Sequence, residues 1–426
     1  MTGFAGLAPC VHCGFCLQSC PTYLATGDEA DSPRGRIVLM RALAAGALPP
    51  DDDALIEHLD RCLGCRGCEP VCPSGVAYGG ALEAARERIA AARPVPTLGR
   101  LVLDVMARPS LRRPLLAVTR LLRPLAGFLA GTGRLGFAAG MVAATRPAVE
   151  RLSGWAVGDG AASGRDAPKH LSGPTAQPLN RSTAVFTGCI QSGLFAHVNA
   201  AAERTLAANG YTVVRVEEQG CCGALHAHAG LLDEARALAR ANVAAFSRVP
   251  DAAVAVTAAG CGAMLASYGH LLAGDPLAPA AQALAARAQD VTLLLHAAGP
   301  RRGAALAARV AYDPPCHLLH AQRVSEAPRA VLDAVPDIEL VAQDEAELCC
   351  GSAGIFSLLQ PEMSRAVLAR KVAALRQAAP DVVVTGNPGC AMQIGAGLRA
   401  AGRAIPVAHP VELLDRSYQA AGYYRE

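Results

Sequence analysis

Residues 10–21 read CVHCGFCLQSCP and residues 62–73 read CLGCRGCEPVCP. In both stretches three cysteines lie three residues apart, and a fourth follows four residues later, immediately before a proline. Three thiols at this spacing fit one tight, glycine-containing loop, where each can bind a different iron of one cluster. The fourth thiol begins the next element after a bend at the proline. The sequence therefore predicts two metal-binding loops whose fourth cysteines belong to a different site from the first three.

The pattern C-x2-C-x2-C-x3-C-P is that of bacterial two-cluster ferredoxins, in which the fourth cysteine of each run binds the other cluster. We expect two [4Fe-4S] clusters, one held by Cys10, Cys13, Cys16 and Cys72, the other by Cys62, Cys65, Cys68 and Cys20. Zinc is the competing interpretation, because tetrahedral zinc sites use paired C-x2-C ligands. Two full runs, each closed by proline, favour iron–sulfur clusters.

Other residues near the two runs give weaker signals. His12 and Arg66 lie inside the loops, where a positive charge would raise a cluster potential; the alternative is that both are solvated loop residues. The stretch SPRGRIVLMRALAAG from Ser32 to Gly46 has a capping serine, a proline at the first helical position and a glycine stop. It predicts a helix between the two runs.

Composition excludes several classes of protein. The chain has 426 residues, of which 52% are hydrophobic, and its formal net charge is +3, so we expect no nucleic-acid partner. No uniformly apolar stretch predicts a membrane span. The first nine residues lack the layout of a secretory signal, and sixteen cysteines in a reducing cytoplasm indicate metal binding and not disulfides.

The remaining eight cysteines form an internal repeat. Equivalent cysteines lie 127 to 129 residues apart, as in the pairs Cys189/Cys316 and Cys261/Cys390, and both central pairs occur as CCG. A duplicated domain is the simplest explanation. The first quartet is Cys189, Cys221, Cys222 and Cys261, and the second quartet is Cys316, Cys349, Cys350 and Cys390. Both quartets are candidate metal or redox sites.

Short β-branched runs alternate with Ala-rich helical stretches in both copies, which predicts parallel sheets. Because each cysteine follows a strand, we expect four thiols to converge at the sheet edge in each copy. The predicted fold class is multidomain, α+β and α/β: a mainly helical two-cluster ferredoxin-like domain, then two repeated α/β domains. The expected boundaries are 1–92 for the first domain, 93–156 for an Arg-rich helical connection, 157–182 for a linker, and 183–300 and 301–426 for the repeats.

These motifs carry a family resemblance. The order Cys, CCG, Gly-Cys resembles the CCG domain of heterodisulfide-reductase-like proteins. Two ferredoxin runs before two CCG domains resemble the iron–sulfur subunits of glycolate oxidase, especially over the opening CVHCGFCLQSCPTYLATGDEADSPRGRI. The resemblance implies an electron-transfer subunit of an oxidoreductase complex that oxidises glycolate to glyoxylate and passes electrons to a quinone or another acceptor. D-lactate or glycerol 3-phosphate oxidation, and a thiol/disulfide enzyme, are the alternatives.

The repeats depart from the catalytic relatives in one respect. Where the final motif of those relatives is C-x2-C, this chain has Met264 and Gln393, which are poorer iron ligands than thiolate. The quartets therefore have three interpretations: further iron–sulfur or zinc sites, a cofactor-free scaffold, or a dithiol relay. A zinc-stabilised scaffold without a redox role is the corresponding alternative function. Four histidines near the cysteines are candidate ligands or packed side chains: His226, His228, His317 and His320.

The connecting segment is strongly basic. Arg112, Arg113, Arg120 and Arg123 fall within one sector of a helical wheel and leucines occupy the other side. This pattern predicts either peripheral contact with an anionic membrane at its inner face, or a helix packed on its own domain or a partner with its arginines in water. Because of Pro114 and Pro124, we expect no uninterrupted helix longer than about ten residues.

Nucleotide-binding and hydrolytic motifs are missing from the sequence. We find no strand followed by GxGxxG, no P-loop, no GxSxG and no HExxH. Oxidation of an alcohol releases two electrons whereas clusters carry one each, so a flavin must intervene. We therefore expect FAD on a partner subunit, and no substrate-oxidising site on this chain.

Overall fold

The computed structural model describes residues 3–131, 133–148 and 181–424. The predicted linker lies outside the described residues up to residue 180, and Ser182 already begins the first strand.

Four helices and the two cysteine loops form the N-terminal domain. The helices are α1 (Pro21–Thr26), α2 (Pro33–Ala44), α3 (Asp53–Asp60) and α4 (Tyr78–Ala92), with 3-10 turns at Gly3–Leu7 and Glu29–Asp31. The helix predicted between the two runs is confirmed, because the Ser32 hydroxyl caps α2 by accepting from the Gly35 amide at 2.9 Å. Buried apolar side chains of α2, α3 and α4, such as Met40, Leu59 and Leu82, form the core.

Three helices follow, namely α5 (Thr97–Ala107), α6 (Pro109–Leu129) and α7 (Gly133–Ala144). The expectation of a helix limited to about ten residues is wrong, since α6 runs unbroken through Pro114 and Pro124. Both prolines face solvent, and the opposite face of α6 packs on α5 and α7. This packing outweighs the hydrogen bond that each proline removes.

Each CCG domain is built on a parallel sheet, as predicted, and each sheet has four strands. The first sheet has the order β2-β1-β3-β4 and the second β6-β5-β7-β8. The elements of the first domain are β1 (Ser182–Phe186), α8 (Ala196–Ala208), β2 (Thr212–Val214), α9 (Ala224–His228), α10 (Leu232–Phe246), β3 (Ala253–Val256), α11 (Ala259–Ala266), α12 (Tyr268–Leu271), α13 (Ala278–Arg287), β4 (Ala288–Asp290) and α14 (Val291–Ala298). Those of the second are β5 (Ala308–Tyr312), a π-helical turn (His317–Ala321), α15 (Glu326–Asp333), β6 (Ile338–Leu340), α16 (Phe356–Leu359), α17 (Pro361–Ala378), β7 (Val382–Val384), α18 (Pro388–Ala400), β8 (Val407–Ala408) and α19 (Pro410–Ala421).

The topology places cysteines beyond the carboxyl ends of the inner strands. Cys189 and Cys316 follow β1 and β5 in the loops, while Cys261 and Cys390 lie in the first turns of α11 and α18, directly after β3 and β7. Crevices outside the carboxyl ends of parallel strands are where ligands bind in such sheets. The fold thus directs both quartets to the corresponding edge of their sheets.

Candidate metal centres

Backbone conformation gives the two N-terminal cysteine loops the same shape. The residues on either side of the middle cysteine have positive φ in both loops: 58° and 86° at His12 and Gly14, and 62° and 61° at Gly64 and Arg66. Each loop therefore uses glycine at one of the two left-handed positions. Successive amides in such turns form a concave surface that favours anions. The sulfide ions of an iron–sulfur cluster are anions of this kind.

The first loop faces the end of the second cysteine run. One pocket is lined by Cys10, Cys13, Cys16 and Cys72, with Cys68 beside them. Burial, together with neighbouring thiols that include Cys10 and Cys72, raises the pKa of Cys16 to about 11. A thiol in this position is one that bound metal cations would stabilise as a thiolate.

The second loop meets the last cysteine of the first run. A second pocket is lined by Cys20, Cys62, Cys65 and Cys68. Burial raises the pKa of Cys65 and of Cys68 well above the ordinary value, and Cys20 contributes to both shifts. The structure thus brings together both sets of four thiols that the spacing predicts.

Arg36 is a buried cation beside the second N-terminal site that sequence reasoning missed. It is fully buried, and its guanidinium donates to Thr22 Oγ1 at 2.9 Å and lies 3.9 Å from the Cys20 sulfur. Burial of the Cys62 thiol raises its pKa, but the charges of Arg36 and Arg86 outweigh this and lower it. The only signal in the sequence was an arginine on the inward side of the helix between the two runs.

The spacing of the thiols distinguishes clusters from zinc. Four sulfurs bound to one zinc ion at about 2.3 Å lie about 3.8 Å apart, whereas the thiolates around a cubane are separated by the width of the cluster. Within the described residues, no three thiols lie within 4.8 Å of one another. The two N-terminal sites therefore fit multinuclear clusters better than single zinc ions.

All eight cysteines of the repeats line one cavity, whose volume is about 300 Å³. Sequence reasoning predicted a separate site in each copy and did not foresee that the two would face each other. Connecting helices cover the cavity on one side through Val102, Met106 and Met141. The lining is largely apolar, so thiolates or a bound anion in the cavity are shielded from water.

Thiols within each quartet contact one another in series. In the second quartet Cys316 Sγ lies 3.9 Å from Cys349 Sγ, and Cys350 contacts both Cys349 and Cys390. Hydrogen bonds from its neighbours lower the pKa of Cys349 well below the ordinary thiol value, whereas Cys316 and Cys350 have raised pKa values. The thiols of the first quartet contact one another in the same order, but the pKa of Cys221, the equivalent of Cys349, is raised to about 12.

Each quartet has a buried cation beside it. Arg112 of α6 is near Cys189, whose pKa it lowers against the larger effects of the Cys221 hydrogen bond and burial. Lys371 of α17 is near Cys349 and forms an ion pair with buried Asp313 at 2.8 Å. Buried cations compensate negative charge, so both quartets are prepared for thiolates or an anionic cluster.

The departure at the final motif does not alter the lining of the cavity. Met264 is buried in the core of the first CCG domain. Gln393 is fully buried and donates to Ser364 Oγ at 2.8 Å. Neither Met264 nor Gln393 lines the shared cavity.

Two of the four candidate histidines line the cavity. The rings of His228 and His317 lie 5.4 Å apart, and burial, with the charge of His317, lowers the pKa of His228 to about 3. His226 is buried outside the cavity lining, and His320 donates from Nε2 to the Glu347 carbonyl oxygen at 3.0 Å. Of the four, His317 also contacts the second cysteine loop, because its Nε2 lies 3.1 Å from the Gly64 carbonyl oxygen.

That contact joins the N-terminal domain to the second quartet. Cys65 is close enough to Cys349 for a charge on the Cys349 thiolate to raise the pKa of Cys65. Leu63, Cys349 and Phe356 form a buried apolar cluster around the junction. The second N-terminal site and the second quartet are therefore adjacent and separated from water.

Comparison with known families agrees with this arrangement. Residues 6–76 match the 4Fe-4S dicluster domain, and residues 183–266 and 310–395 each match the cysteine-rich CCG domain. The chain is 37% identical to the probable glycolate oxidase iron–sulfur subunit of Bacillus subtilis, over 98% of this chain and 94% of that protein. It is 34% identical to the glycolate oxidase iron–sulfur subunit of Escherichia coli, over 97% and 94%. The chain belongs to the family of glycolate oxidase iron–sulfur subunits.

Membership of this family confirms the resemblance drawn from the cysteine motifs, and with it the order of one dicluster domain and two CCG domains. The chain is also 31% identical to lactate utilization protein A of Oceanobacillus iheyensis, but over only 54% of this chain and 96% of that protein. The glycolate oxidase subunits thus match this chain over nearly twice the length.

Proposed function

We propose that this chain is the electron-transfer subunit of a flavin-dependent 2-hydroxy-acid dehydrogenase that oxidises glycolate to glyoxylate. FAD and the substrate-oxidising site are on a partner subunit in this proposal. Cysteines from both N-terminal runs hold two [4Fe-4S] clusters, one on Cys10, Cys13, Cys16 and Cys72, the other on Cys62, Cys65, Cys68 and Cys20. When bound, such clusters accept and release single electrons.

One observation carries the proposal: the thiol sites form a continuous series from the surface to the interior. The first site includes the exposed Cys13, and Cys68 lies beside both N-terminal sites. The second site adjoins the second quartet through Cys65 and Cys349. A stable scaffold does not need this order, whereas an electron conduit does.

The exposed end of the series is the site at which we expect the flavin subunit to bind. Val11 and Phe15, on the first cysteine loop, are 69% and 68% exposed. Apolar side chains of this size on a cluster loop favour a protein partner that covers them. Electrons would then enter at the first site and leave from the CCG cavity.

We further propose that the two quartets bind additional iron–sulfur clusters. All eight thiols line one cavity, and Arg112 and Lys371 supply buried positive charge beside them. Protein purified without oxygen should then contain more than the roughly eight irons of two [4Fe-4S] clusters. Eight irons would limit the clusters to the N-terminal domain, and zinc without sulfide would contradict the conduit.

The acceptor in this proposal is a quinone, and the complex works in the cytoplasm at the inner face of the membrane. Within the described ranges no helix is both long and apolar enough to cross a bilayer. Contact with the membrane would then be peripheral. The apolar cavity lining is compatible with delivery of electrons to a lipid-soluble acceptor.

Cysteine variants in the reconstituted complex test the conduit. Cys13→Ser and Cys65→Ser should each abolish quinone reduction and leave reduction of the partner flavin by glycolate at its normal rate. Ser74→Ala, at the edge of the first pocket, is the matched control and should support full turnover. Normal quinone reduction in either cysteine variant would contradict the proposal, as would loss of flavin reduction in a properly assembled complex.

A further inference from the structure

The helix α6 is oriented in the opposite way to an ordinary surface helix. Its arginines Arg112 and Arg123 are only 4% and 7% exposed, while Leu121 and Phe128 are 79% and 88% exposed. Of the sixteen large apolar side chains that the described part of the chain exposes, eleven lie between residues 98 and 135. They are Leu98, Leu101, Leu111, Leu115, Val118, Leu121, Leu122, Leu125, Phe128, Leu129 and Leu135.

Hydrogen bonds to neighbouring helices fix this orientation. The Arg112 guanidinium donates to the Met106 carbonyl at 2.6 Å, and that of Arg123 donates to the Thr145 carbonyl at 2.9 Å. These carbonyls lie at the carboxyl ends of α5 and α7, where cations are favoured. Leu116, on the buried face of α6, packs so closely on Gly193 that any side chain at position 193 would collide with Leu116. A rotation that buried the leucines would break all of these contacts.

The charge around the apolar face has one sign. Arg113, Arg120 and Arg134 are exposed, and the sequence contains no aspartate or glutamate from residue 105 to residue 149. At about 100° per residue, Arg113 and Arg120 lie between the buried face and the apolar face. The apolar face of α6 is therefore bordered along one edge by two cations, which could reach lipid phosphates while the apolar side chains enter the bilayer surface.

We propose that the outer face of α6, with its flanking arginines, docks on an anionic lipid bilayer, with the helix lying in the plane of the interface. A helix of 21 residues is about 30 Å long, so its whole apolar face would contact the lipid at once. The flavin subunit is a less suitable occupant, because the exposed cluster loop already provides a face for it at the entrance of the electron path. The docking itself does not depend on the substrate or on the flavin.

Docking on this face would bring the CCG cavity close to the membrane. Val102 and Met106 of α5 and Met141 of α7 line the cavity from the layer of helices to which α6 belongs. One such layer is about 10 Å thick. This consequence rests on the proposed function, since it explains how a lipid-soluble acceptor reaches the end of the electron path.

Vesicle sedimentation of the full chain tests the docking without substrate or partner. Wild-type protein should bind vesicles that contain phosphatidylcholine and phosphatidylglycerol. It should bind vesicles of pure phosphatidylcholine much more weakly. Leu121→Glu should lower the affinity by at least about tenfold. The matched control is Val38→Glu, on the exposed side of α2, which should bind like wild type.

The arginines are tested by a charge-matched pair of variants. Arg113→Gln with Arg120→Gln should weaken binding by about fivefold for each charge, and added salt should abolish the difference. Arg302→Gln with Arg376→Gln removes two exposed charges elsewhere and should leave binding unchanged. Equal sedimentation of Leu121→Glu and wild type would overturn the proposal. If Leu121→Glu binds vesicles normally but no longer assembles with the flavin subunit, the proposal is also overturned, and the face is a subunit interface. Neither result bears on cluster-dependent turnover, which the cysteine variants test.

Discussion

Replacement of Arg36 by methionine tests how the second N-terminal site is held. The Arg36 guanidinium donates to the His58 carbonyl at 2.7 Å, to Thr22 Oγ1 at 2.9 Å and to Asp31 Oδ1 at 3.3 Å. The whole Arg36 side chain is buried, and its guanidinium lies beside the Cys20 thiol. Methionine occupies a similar length but supplies neither the charge nor any donor, so several buried acceptors lose their partner at once.

The expected loss in the free energy of unfolding depends on which partners Asp31 keeps. Removal of one partner from a buried ion pair costs about 3–5 kcal/mol. Asp31 keeps Arg61 at 3.3 Å and His58 at 3.0 Å, which places the loss at the lower end, about 3 kcal/mol. Arg36→Lys keeps the charge but cannot make three hydrogen bonds in different directions. The stability of this variant should therefore lie between those of Arg36→Met and wild type.

Thermal bleaching of the iron–sulfur absorbance measures the effect. The bleaching midpoint of Arg36→Met should fall by about 10 °C or more. Arg93→Met is the control in the same domain, because Arg93 pairs with Asp53 on the surface, and such pairs contribute less than about 1 kcal/mol. If the two variants bleach at the same temperature as wild type, the buried guanidinium does not hold the Cys20 site and the reasoning fails.

Two further predictions concern the entry face and the pH dependence of stability. Phe15→Glu should weaken assembly with the flavin subunit at least about tenfold, measured by titration of the two purified subunits, with Val38→Glu as control; unchanged assembly would remove this loop from the interface. Burial raises the pKa of Asp290 to about 6, so from about pH 4 to about pH 6 the folded chain binds more protons than the unfolded chain, and stability falls as the pH rises. Asp290→Asn retains an acceptor for the Thr292 amide and cannot ionise. Above pH 6 this variant should therefore be more stable than wild type by about 2–3 kcal/mol. The same pH dependence of the thermal midpoint in both proteins would contradict this.

Sequence spacing predicted those features that depend on neighbouring residues. Three cysteines at fixed intervals before a proline define a loop whatever surrounds it, and the crossing of Cys20 and Cys72 follows from the pairing of two such loops. The repeat of CCG with β-branched runs predicted two parallel sheets for the same reason. Each of these inferences needs only local geometry and a known ligand chemistry.

Features that depend on which surfaces meet could not be predicted in this way. The helical wheel of α6 correctly separated Arg112 and Arg123 from most of the leucines, but periodicity shows which residues share a face and not which face is buried. The alternative of a helix packed on its own domain or a partner with its arginines in water is therefore wrong for Arg112 and Arg123, which are buried, and of the four only Arg113 and Arg120 are exposed. The deciding groups are the carbonyls of Met106 and Thr145, which no side-chain pattern reveals.

The duplication also conceals a difference between the two quartets. The cation beside the second quartet, Lys371, comes from its own domain and is paired with Asp313. The cation beside the first, Arg112, comes from the connecting helix α6 and its Nε has no hydrogen-bond partner among the described residues. The thiols differ as well: the pKa of Cys349 in the second quartet is lowered well below the ordinary value, mainly by its hydrogen bonds with Cys316 and Cys350, whereas Cys189, Cys221 and Cys222 of the first quartet all have raised pKa values. The two quartets therefore differ in their charge environment, although the sequence repeats their cysteines at the same intervals.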